Sequence, residues 1–265
     1  MKQSFDFWDT LAPHHWKIEN SYLDPVVLRR ILSRIEGPVL VVGAGQGVIV
    51  AESQKNGMRC DGVDGSPEMI RHAKVRRGLE LVKADARAMP FEKGAYRTLI
   101  YATGVIDFMS DEAEIQTFLN EGKRIADGTG VILVAFYRIS AANVGFLERL
   151  GLLKDGVLRF RETLEIYRLK PLQALAWVAK RARVSIFRAV MMSLRSSMCS
   201  TWQEKRNAIR MQRVFSNASD ATALIDSAPE QQPYRNEAEI RSLFARLAIP
   251  IKQFDGFGNC YVVQI

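Results

Sequence analysis

The 265-residue sequence predicts an α/β protein with a doubly wound, mainly parallel seven-stranded sheet and a helical insertion. Short apolar runs alternate with amphipathic segments over residues 22–137, a pattern typical of strand–helix units in a parallel sheet. A glycine-rich turn follows the first apolar run. The stretch 157–255 has no glycine and is rich in good helix formers, which favours helices there.

The first half of the sheet is predicted from residues 22–85. The segment "YLDPVVLRRILSRI" has apolar residues at helical spacing, and "PVLVV" is typical of a buried parallel strand. A helix, "VIVAESQKNG", is then expected to end at Gly57, and "MRCDGVD" forms the second strand. Ser66 as N-cap and Pro67 as first residue begin the next helix, and "LELVKAD" forms the third strand.

The second half of the sheet contains "YRTLIYAT" and "GVILVAFY" as strands, separated by the helix "DEAEIQTFLNEGKRIA". A last helix, "NEAEIRSLFARL", precedes "PIKQF" and "NCYVVQI", which "DGFG" joins into an antiparallel hairpin. We therefore expect one domain made of residues 1–137 and 236–265, with residues 138–235 as the helical insertion.

Composition excludes several classes of protein. Hydrophobic residues make up 48% of the chain, enough for a packed core. The three cysteines and three histidines show no metal-ligand spacing, so neither a zinc site nor a disulfide framework is expected. The sequence shows no secretory apolar segment at its start and no run long enough to span a bilayer, so the expected location is the cytoplasm.

The glycine turn and two acidic residues predict an adenosine-containing ligand. Gly43, Gly45 and Gly47 form GxGxG, whereas the dinucleotide fingerprint GxGxxG would place its third glycine at Val48. The second strand ends in Asp64, where a carboxylate can accept hydrogen bonds from ribose hydroxyls. Asp85 ends the third strand and could accept a hydrogen bond from an adenine amino group. All three features belong at the carboxyl edge of a doubly wound sheet, where such folds bind ligands.

At these residues the sequence resembles the class I S-adenosylmethionine-dependent methyltransferases, in particular the ubiquinone/menaquinone-biosynthesis type. "VLVVGAGQG" is similar to the first motif of that family, "GVDGSPEMI" to its second-strand signature and "ADARAMPF" to its adenine-contact motif. "EGKRIADGTGVILV" is similar to the segment that leads into its fifth strand. The resemblance covers residues 5–137 and, weakly, 233–265, and it implies a Rossmann-like methyltransferase fold with S-adenosylmethionine as cofactor.

The resemblance also implies which residues hold the cofactor. The glycine turn would contact the methionine part of the cofactor, and the ends of the second and third strands would bind its adenosine part. The main chain after the fourth strand would line the methionine side, and an N-terminal aromatic lid would close over the cofactor. The implied cofactor-binding residues are Trp8, Gly43, Ala44, Gly45, Gly47, Asp64, Gly65, Met69, Asp85, Ala86, Tyr101 and Ala102.

Two positions depart from the family pattern. The family has an acid two residues before the first glycine, where this chain has Val41. It also has an aspartate in the fourth-strand motif, where this chain has Arg97. The favoured interpretation is that backbone contacts and waters substitute for these acids. The alternatives are an altered cofactor affinity and a relative that no longer methylates.

Four residues are candidates for the acceptor side of the reaction. Methyl transfer from a sulfonium requires alignment of acceptor, methyl and leaving sulfur, and a base only when the acceptor arrives protonated. His14 and His15 lie in the lid segment "FWDTLAPHHW", Asp107 follows the fourth strand, and Tyr137 ends the fifth. The hypothesis is that one of these four orients or deprotonates the acceptor. A lid-surface role for the histidines and a capping role for Asp107 remain alternatives.

Positive charge is concentrated in the insertion. The chain has a net charge of +8, and residues 150–215 alone hold 14 Lys and Arg against 4 Asp and Glu. If residues 171–198 form a single helix, the following residues make one apolar stripe: Leu172, Leu175, Ala179, Ala182, Ile186, Val190 and Leu194. Arg181, Arg188 and Arg195 would lie roughly opposite, and Arg183 would intrude on the stripe.

Three interpretations of this basic segment remain open at the level of sequence. It could be a helical cap over the active site, a membrane-surface helix suited to anionic lipid, or a nucleic-acid-binding surface. The leading functional prediction is methylation of a small, hydrophobic or aromatic acceptor, lipid-like or quinone-like, by S-adenosylmethionine. The alternatives are an RNA methyltransferase and a protein that binds the cofactor without methylating.

Overall fold

A computed structural model describes residues 5–23, 25–126, 130–199, 202–217, 221–257 and 260–265. The strands are β1 (Val39–Val42), β2 (Cys60–Asp64), β3 (Val82–Lys83), β4 (Thr98–Tyr101), β5 (Val131–Tyr137), β6 (Leu153–Lys154), β7 (Val157–Leu158), β8 (Gln232–Pro233), β9 (Gln253–Phe257) and β10 (Cys260–Gln264). The helices are α1 (Asp6–Tyr22), α2 (Pro25–Leu32), α3 (Val48–Lys55), α4 (Pro67–Arg77), α5 (Glu112–Ile125), α6 (Ala141–Arg149), α7 (Phe160–Arg168), α8 (Pro171–Arg181), α9 (Ile186–Cys199), α10 (Trp202–Asn217), α11 (Ala221–Asp226) and α12 (Glu237–Arg246).

The predicted seven-stranded sheet is confirmed, with the strand order β3-β2-β1-β4-β5-β10-β9. The first five strands are parallel, and β10 pairs antiparallel with both β5 and β9. Strand order reverses between β1 and β4, so the loops that leave these two strands diverge to opposite faces and open a crevice between them.

Local chemistry explains why these elements form. All four residues of β1 are buried, with Leu40 and Val42 in the apolar core on one face and Val39 and Val41 in the core on the other. Such burial on both faces is typical of the central strand of a parallel sheet. The predicted start of α4 is confirmed, because the Ser66 hydroxyl accepts a hydrogen bond from the N–H of Met69 at 3.0 Å.

Several boundaries differ from the sequence prediction. β3 forms over only two residues of "LELVKAD". The "DGFG" segment is not the hairpin turn, because residues 255–257 still pair with β10 and the connection falls at 258–259, outside the described residues. The long helix α1, for which the sequence predicted only a lid, contains Pro13 in its interior.

Residues 138–235 are mainly helical, as predicted, but also contain a three-stranded antiparallel sheet made of β6, β7 and β8. The single helix over residues 171–198 is not formed, since α8 and α9 are separate helices that pack on each other. The break lies at Arg183, whose φ of 53° cannot continue a helix. The N–H of Val184 instead bonds the Ala179 carbonyl at 3.0 Å, a contact typical of a helix C-terminus.

This break also disrupts the predicted apolar stripe. Val178 and Ala189 are buried between α8 and α9, whereas Leu172, Ile186 and Leu194 are 81%, 62% and 51% exposed. Side chains of residues 195–199, including Arg195, lie outside the described part of the chain.

Helix α1 connects the sheet to the helices of residues 138–235. Its residues Phe7, Leu11 and Ile18 form one apolar core with side chains of α7, α10 and α11. The same helix also packs against α4. Within the described ranges, no helix is long and apolar enough to cross a bilayer.

Candidate cofactor-binding site

A crevice of about 180 Å³ lies at the carboxyl ends of β1, β2 and β4, under α1. Its walls come from the strand ends, the loops that follow them and the first turns of α1. Nine of the predicted site residues line it, namely Trp8, His15, Gly43, Gly45, Asp64, Gly65, Met69, Asp85 and Ala86. The crevice is therefore where the sequence motifs predict a ligand.

The glycine turn owes its shape to backbone conformations that only glycine adopts easily. Gly43 and Gly45 have φ values of 69° and 55°. A Cβ atom at Gly43 would lie 2.1 Å from the Cγ2 atom of Val105, which is inside van der Waals contact. The turn therefore brings main chain, not side chains, to the floor of the crevice.

Asp64 holds this turn in place. One carboxylate oxygen accepts a hydrogen bond from the N–H of Gly45 at 2.7 Å, and the other accepts one from the N–H of Ser66 at 2.9 Å. Burial raises the pKa of Asp64, while these backbone hydrogen bonds oppose the shift. Because a carboxylate has more than two acceptor positions, it can also accept bonds from a ligand hydroxyl.

Asp85 already has a partner in the crevice. Arg87, which also lines the crevice, donates from Nε to Oδ1 at 2.9 Å and from its terminal nitrogen to Oδ2. This bidentate pair lowers the pKa of Asp85. A ligand amino group that binds Asp85 would therefore compete with Arg87.

Helix α1 is fixed over the crevice by polar contacts at three points. The Ser66 hydroxyl and the N–H of Glu68, at the start of α4, donate to the Asp9 carboxylate. The fully buried Gln46 side chain donates to the Ala12 carbonyl at 2.6 Å. Farther along α1, Glu19 accepts a hydrogen bond from Arg77 at 2.7 Å.

Gln46 and Arg77 were missed in the sequence analysis. Arg77 links two of these contacts, since it donates to Glu19 of α1 and also to the Gln46 carbonyl at 3.1 Å. Burial raises the pKa of Glu19, although the nearby Arg77 opposes this shift. No spacing rule links residues so far apart in the sequence, so only the folded structure reveals this group.

Aromatic rings of α1 cover parts of the crevice. The Phe5 ring, at the start of this helix, lies over Gly65, where a Cβ atom would come within 2.2 Å of it. Trp8 lies over Gly104, with 3.2 Å to a Cβ atom placed there. Trp8, from the predicted lid segment, thus lies against the loop after β4, and Phe5, which the sequence analysis did not assign to the lid, lies against the loop after β2.

Four predicted cofactor residues do not line the crevice. The Tyr101 ring is fully buried, and its hydroxyl donates to the Phe118 carbonyl. Ala102 uses its N–H to bond Val42 in the sheet, and Ala44 uses its N–H to bond Val63. Gly47 begins α3, where a Cβ atom would come within 2.4 Å of Leu79. After β4, the lining residues are instead Thr103, Gly104 and Val105.

The two departures from the family pattern lie in different places. Arg97 precedes β4, at the opposite end of the strand from the crevice, and its Nε donates to Glu36 at 2.9 Å. Its replacement of an acid therefore removes no direct contact in the crevice. Val41 is 1% exposed and packs in the core beneath the turn, so no side-chain carboxylate stands there.

His15 is the one of the four acceptor-side candidates that lines the crevice. Its ring lies beside Gly45, at 3.5 Å from a Cβ atom placed there. Burial, with Arg77 and His72 nearby, lowers the pKa of His15 to about 4, so the imidazole is neutral at pH 7. His14, the preceding residue in α1, is partly buried and does not line the crevice.

Asp107 and Tyr137 do not line the crevice. The Asp107 carboxylate accepts hydrogen bonds from the N–H of Gly104 at 2.8 Å and from the N–H of Tyr137 at 3.0 Å. It is 5% exposed, and burial raises its pKa to about 6. The side chain of Asp107 thus fixes the loop that carries Gly104.

The residues of the crevice suit an adenosine-containing cofactor. Carboxylates that can accept hydrogen bonds end β2 and closely follow β3, and the glycine turn exposes main chain at the end of β1. In the part of the chain that the structure describes, no group of His, Cys, Asp and Glu is arranged to hold a metal ion.

Comparison with protein families identifies this part of the chain. Residues 39–130, about a third of the sequence, match the model of a family described as a methyltransferase domain. They form a methyltransferase domain. S-adenosylmethionine is the cofactor of this domain, and the chain is an S-adenosylmethionine-dependent methyltransferase. A search of curated proteins finds no match.

Several solved structures are similar in fold over nearly the whole chain. A Thermotoga maritima protein described as an S-adenosylmethionine-dependent methyltransferase is 14% identical, with a TM-score of 0.50 over 100% of this chain and 98% of its own. A Pyrococcus horikoshii protein is 17% identical, with a TM-score of 0.50 over 94% and 89%. A Rhodobacter sphaeroides protein provisionally described as a zinc-dependent alcohol dehydrogenase is 12% identical, with a TM-score of 0.60 over 100% and 98%. At these identities the likeness establishes the fold alone.

Proposed function

We propose that the enzyme methylates a small hydrophobic or aromatic acceptor, of lipid-like or quinone-like character. The observation that carries this proposal is a cluster of four aromatic rings, Phe7, Trp8, Phe108 and Phe160. Consecutive rings meet edge to face, with centroid distances of 5.1 to 5.7 Å. Trp8, Phe108 and Phe160 are only partly buried. Such a cluster favours flat, apolar molecules over charged ones.

The position of this aromatic cluster fits an acceptor site. Its rings come from α1, from the loop after β4 and from the start of α7, and Trp8 also lines the cofactor crevice. The cluster therefore lies where the methyltransferase domain meets residues 138–235. We propose that these residues form a cap that covers the acceptor, as a unit separate from residues 1–137 and 236–265.

The bound cofactor would supply an electrophilic methyl group, and the protein has to align and shield the acceptor. We assign the adenosine part to Asp64, Gly65, Met69, Asp85 and Ala86, and the methionine part to the turn at Gly43 and Gly45. The rings of the aromatic cluster exclude water and orient the acceptor. Asp107 holds the loop of Gly104 in position.

Among the acceptor-side candidates, His15 is the one that we propose to contact the reacting molecules. Its low pKa of about 4 makes it a weak base, so its proposed role is to orient the reactants through a neutral ring nitrogen. The proton of a hydroxyl or amine acceptor would then leave to solvent or to a water molecule. The roles of His14 and Tyr137 on the acceptor side remain predictions.

A labelling experiment tests the acceptor class. Cell extract is incubated with the enzyme and S-adenosylmethionine that carries a labelled methyl group, and is then separated into organic-solvent, aqueous and RNA fractions. Label in the organic-solvent fraction is the expected result. Label in RNA would instead support the alternative of an RNA methyltransferase, and the absence of transfer with intact cofactor binding would support a binding protein.

Once an acceptor is known, Phe160→Ala separates the two halves of the site. Phe160 does not line the cofactor crevice, so the Kd for S-adenosylmethionine should stay unchanged while kcat/KM for the acceptor falls about tenfold or more. Phe254→Ala is the control, since this ring packs on Tyr261 of β10. Equal loss in both variants would argue against an acceptor role for the cluster.

A further inference from the structure

Helix α9 exposes apolar side chains that no described part of the chain covers. Ile186, Phe187, Met191 and Leu194 are 62%, 74%, 52% and 51% exposed. Their spacing of one, four and three residues places them on one side of the helix. Ala189, on another side of α9, is fully buried in the core shared with α8. The helix is thus attached along one side and presents a second apolar side to the outside.

Positive charge surrounds this apolar side. Arg183, in the turn before α9, and Arg188, on the helix, are exposed, as is Lys180 at the end of α8. The sequence from 166 to 203 contains seven Lys and Arg and no Asp or Glu. We call the four exposed apolar residues, together with Arg183 and Arg188, the α9 face.

We propose that the α9 face binds the surface of a membrane that contains anionic lipids. A helix that carries large apolar side chains and flanking arginines can place the former among acyl chains and the latter among lipid phosphates. With 14 residues, α9 is about 21 Å long, which suits a helix that lies along the interface. This inference concerns the location of the enzyme and is independent of its acceptor.

The composition of the face disfavours two other occupants. A second copy of the chain would bring the same arginines together across a two-fold axis, with no acid between residues 166 and 203 to neutralise them. A nucleic acid would neutralise the arginines but would leave Phe187 and Met191 against a charged backbone. Anionic lipid would accommodate both the apolar side chains of the α9 face, among its acyl chains, and the two arginines, at its phosphates.

Vesicle flotation with the full chain tests this inference. Vesicles of phosphatidylcholine alone are compared with vesicles that also contain phosphatidylglycerol, at low and at high salt. The protein should float with the anionic vesicles at least tenfold more strongly than with the neutral ones. Equal binding to both vesicles, or no binding to either, would overturn the proposal.

Two sets of variants locate the contact. Phe187→Glu combined with Met191→Glu should reduce binding at least tenfold, because both apolar anchors are removed. Val75→Glu is the matched control, since Val75 is 72% exposed on α4 and should leave flotation unchanged. Arg183→Gln and Arg188→Gln should each reduce binding about fivefold. Arg59→Gln and Lys154→Gln, at side chains 74% and 79% exposed elsewhere, are their controls.

Circular dichroism and cofactor affinity establish that each variant is folded, so that loss of flotation reports on the surface. Full flotation of the folded Phe187→Glu, Met191→Glu variant would contradict the proposal. Sedimentation velocity tests for a dimer, and RNA retention tests for binding of a nucleic acid. A dimer, or an RNA complex, that the same two substitutions abolish would assign the face to that partner and overturn the lipid assignment.

Discussion

The cofactor crevice and the helices of residues 138–235 are built in different ways. The crevice is shaped by main chain, through glycines at positive φ and a carboxylate that holds backbone N–H groups. The helical segment is shaped by contacts between side chains, which include the aromatic cluster and the cores around α8 and α10. A main-chain site accepts few substitutions, whereas a side-chain site can change its ligand by repacking. The fold thus fixes the cofactor site, whereas the acceptor site proposed above depends on side chains that can be replaced.

The largest effect is expected for Gly43→Ala, which tests how strictly the crevice depends on main chain. The new Cβ would meet Val105 at 2.1 Å, and the stiff Val105 side chain has little room to move. We expect a loss of about 2–5 kcal/mol in the free energy of unfolding, from backbone strain and overpacking. Calorimetry should show cofactor affinity reduced by more than about tenfold, since about 1.4 kcal/mol lost from binding corresponds to tenfold.

Gly57→Ala is the matched control for this prediction. Gly57 has a similar φ of 76°, but a Cβ atom there would have nothing within 4 Å. The Gly57→Ala substitution should therefore lower the free energy of unfolding by backbone strain alone, about 1 kcal/mol, and leave cofactor affinity unchanged. If the two variants behaved alike, the contact with Val105 would not matter.

Asp64→Asn comes next and tests the carboxylate that joins β2 to the glycine turn. The amide NH2 would face the N–H of Gly45 or Ser66, because Asn can present only one acceptor oxygen. The Kd for S-adenosylmethionine should rise about tenfold or more, since a charged hydrogen bond is worth about 1.5–3 kcal/mol. Asp61→Asn, on the same strand but bonded to the Tyr96 hydroxyl, should leave the Kd unchanged. An unaltered Kd for Asp64→Asn would contradict the proposal that Asp64 binds the ribose of the cofactor.

His15→Gln tests the lid side of the crevice through pH. The folded-state pKa of about 4 lies below the ordinary value of 6.5, so the unfolded chain binds the extra proton first as pH falls. The contribution of neutral His15 to stability is full above about pH 6.5 and is lost between pH 6.5 and 4. Denaturant unfolding should show a wild-type advantage over His15→Gln that shrinks across this window. An advantage constant from pH 7 to pH 4 would mean that His15 is not buried in the neutral form.

The smallest effect is expected for Arg87→Gln. This substitution frees Asp85 from an ion pair whose side chains are about half exposed, a contact worth at most about 1 kcal/mol. Cofactor affinity should rise by no more than a few fold, and the pKa of Asp85 should rise toward its ordinary value. Weaker binding in this variant would show that Arg87 contacts the cofactor and does not compete with it.

The sequence revealed the residues that the main chain itself requires. Gly43, Gly45 and Asp64 could be predicted because a tight turn and a strand end demand those residue types at that spacing. Gln46 and Arg77 could not, because their roles depend on α1 being folded back over the turn. The end of α8 was missed for a related reason. Arg183 adopts a positive φ without a glycine of the kind that marked the predicted end of the helix at Gly57.

Helix α1 is attached both to the cofactor crevice and to the helices of residues 138–235. Gln46 and Arg77 attach this helix to the cofactor side, while Phe7, Leu11 and Ile18 attach it to α7, α10 and α11. Any movement that uncovers the crevice has to carry those helices along or separate an apolar contact. With the acceptor at the aromatic cluster, as proposed, access to both binding sites would depend on the same movement of α1.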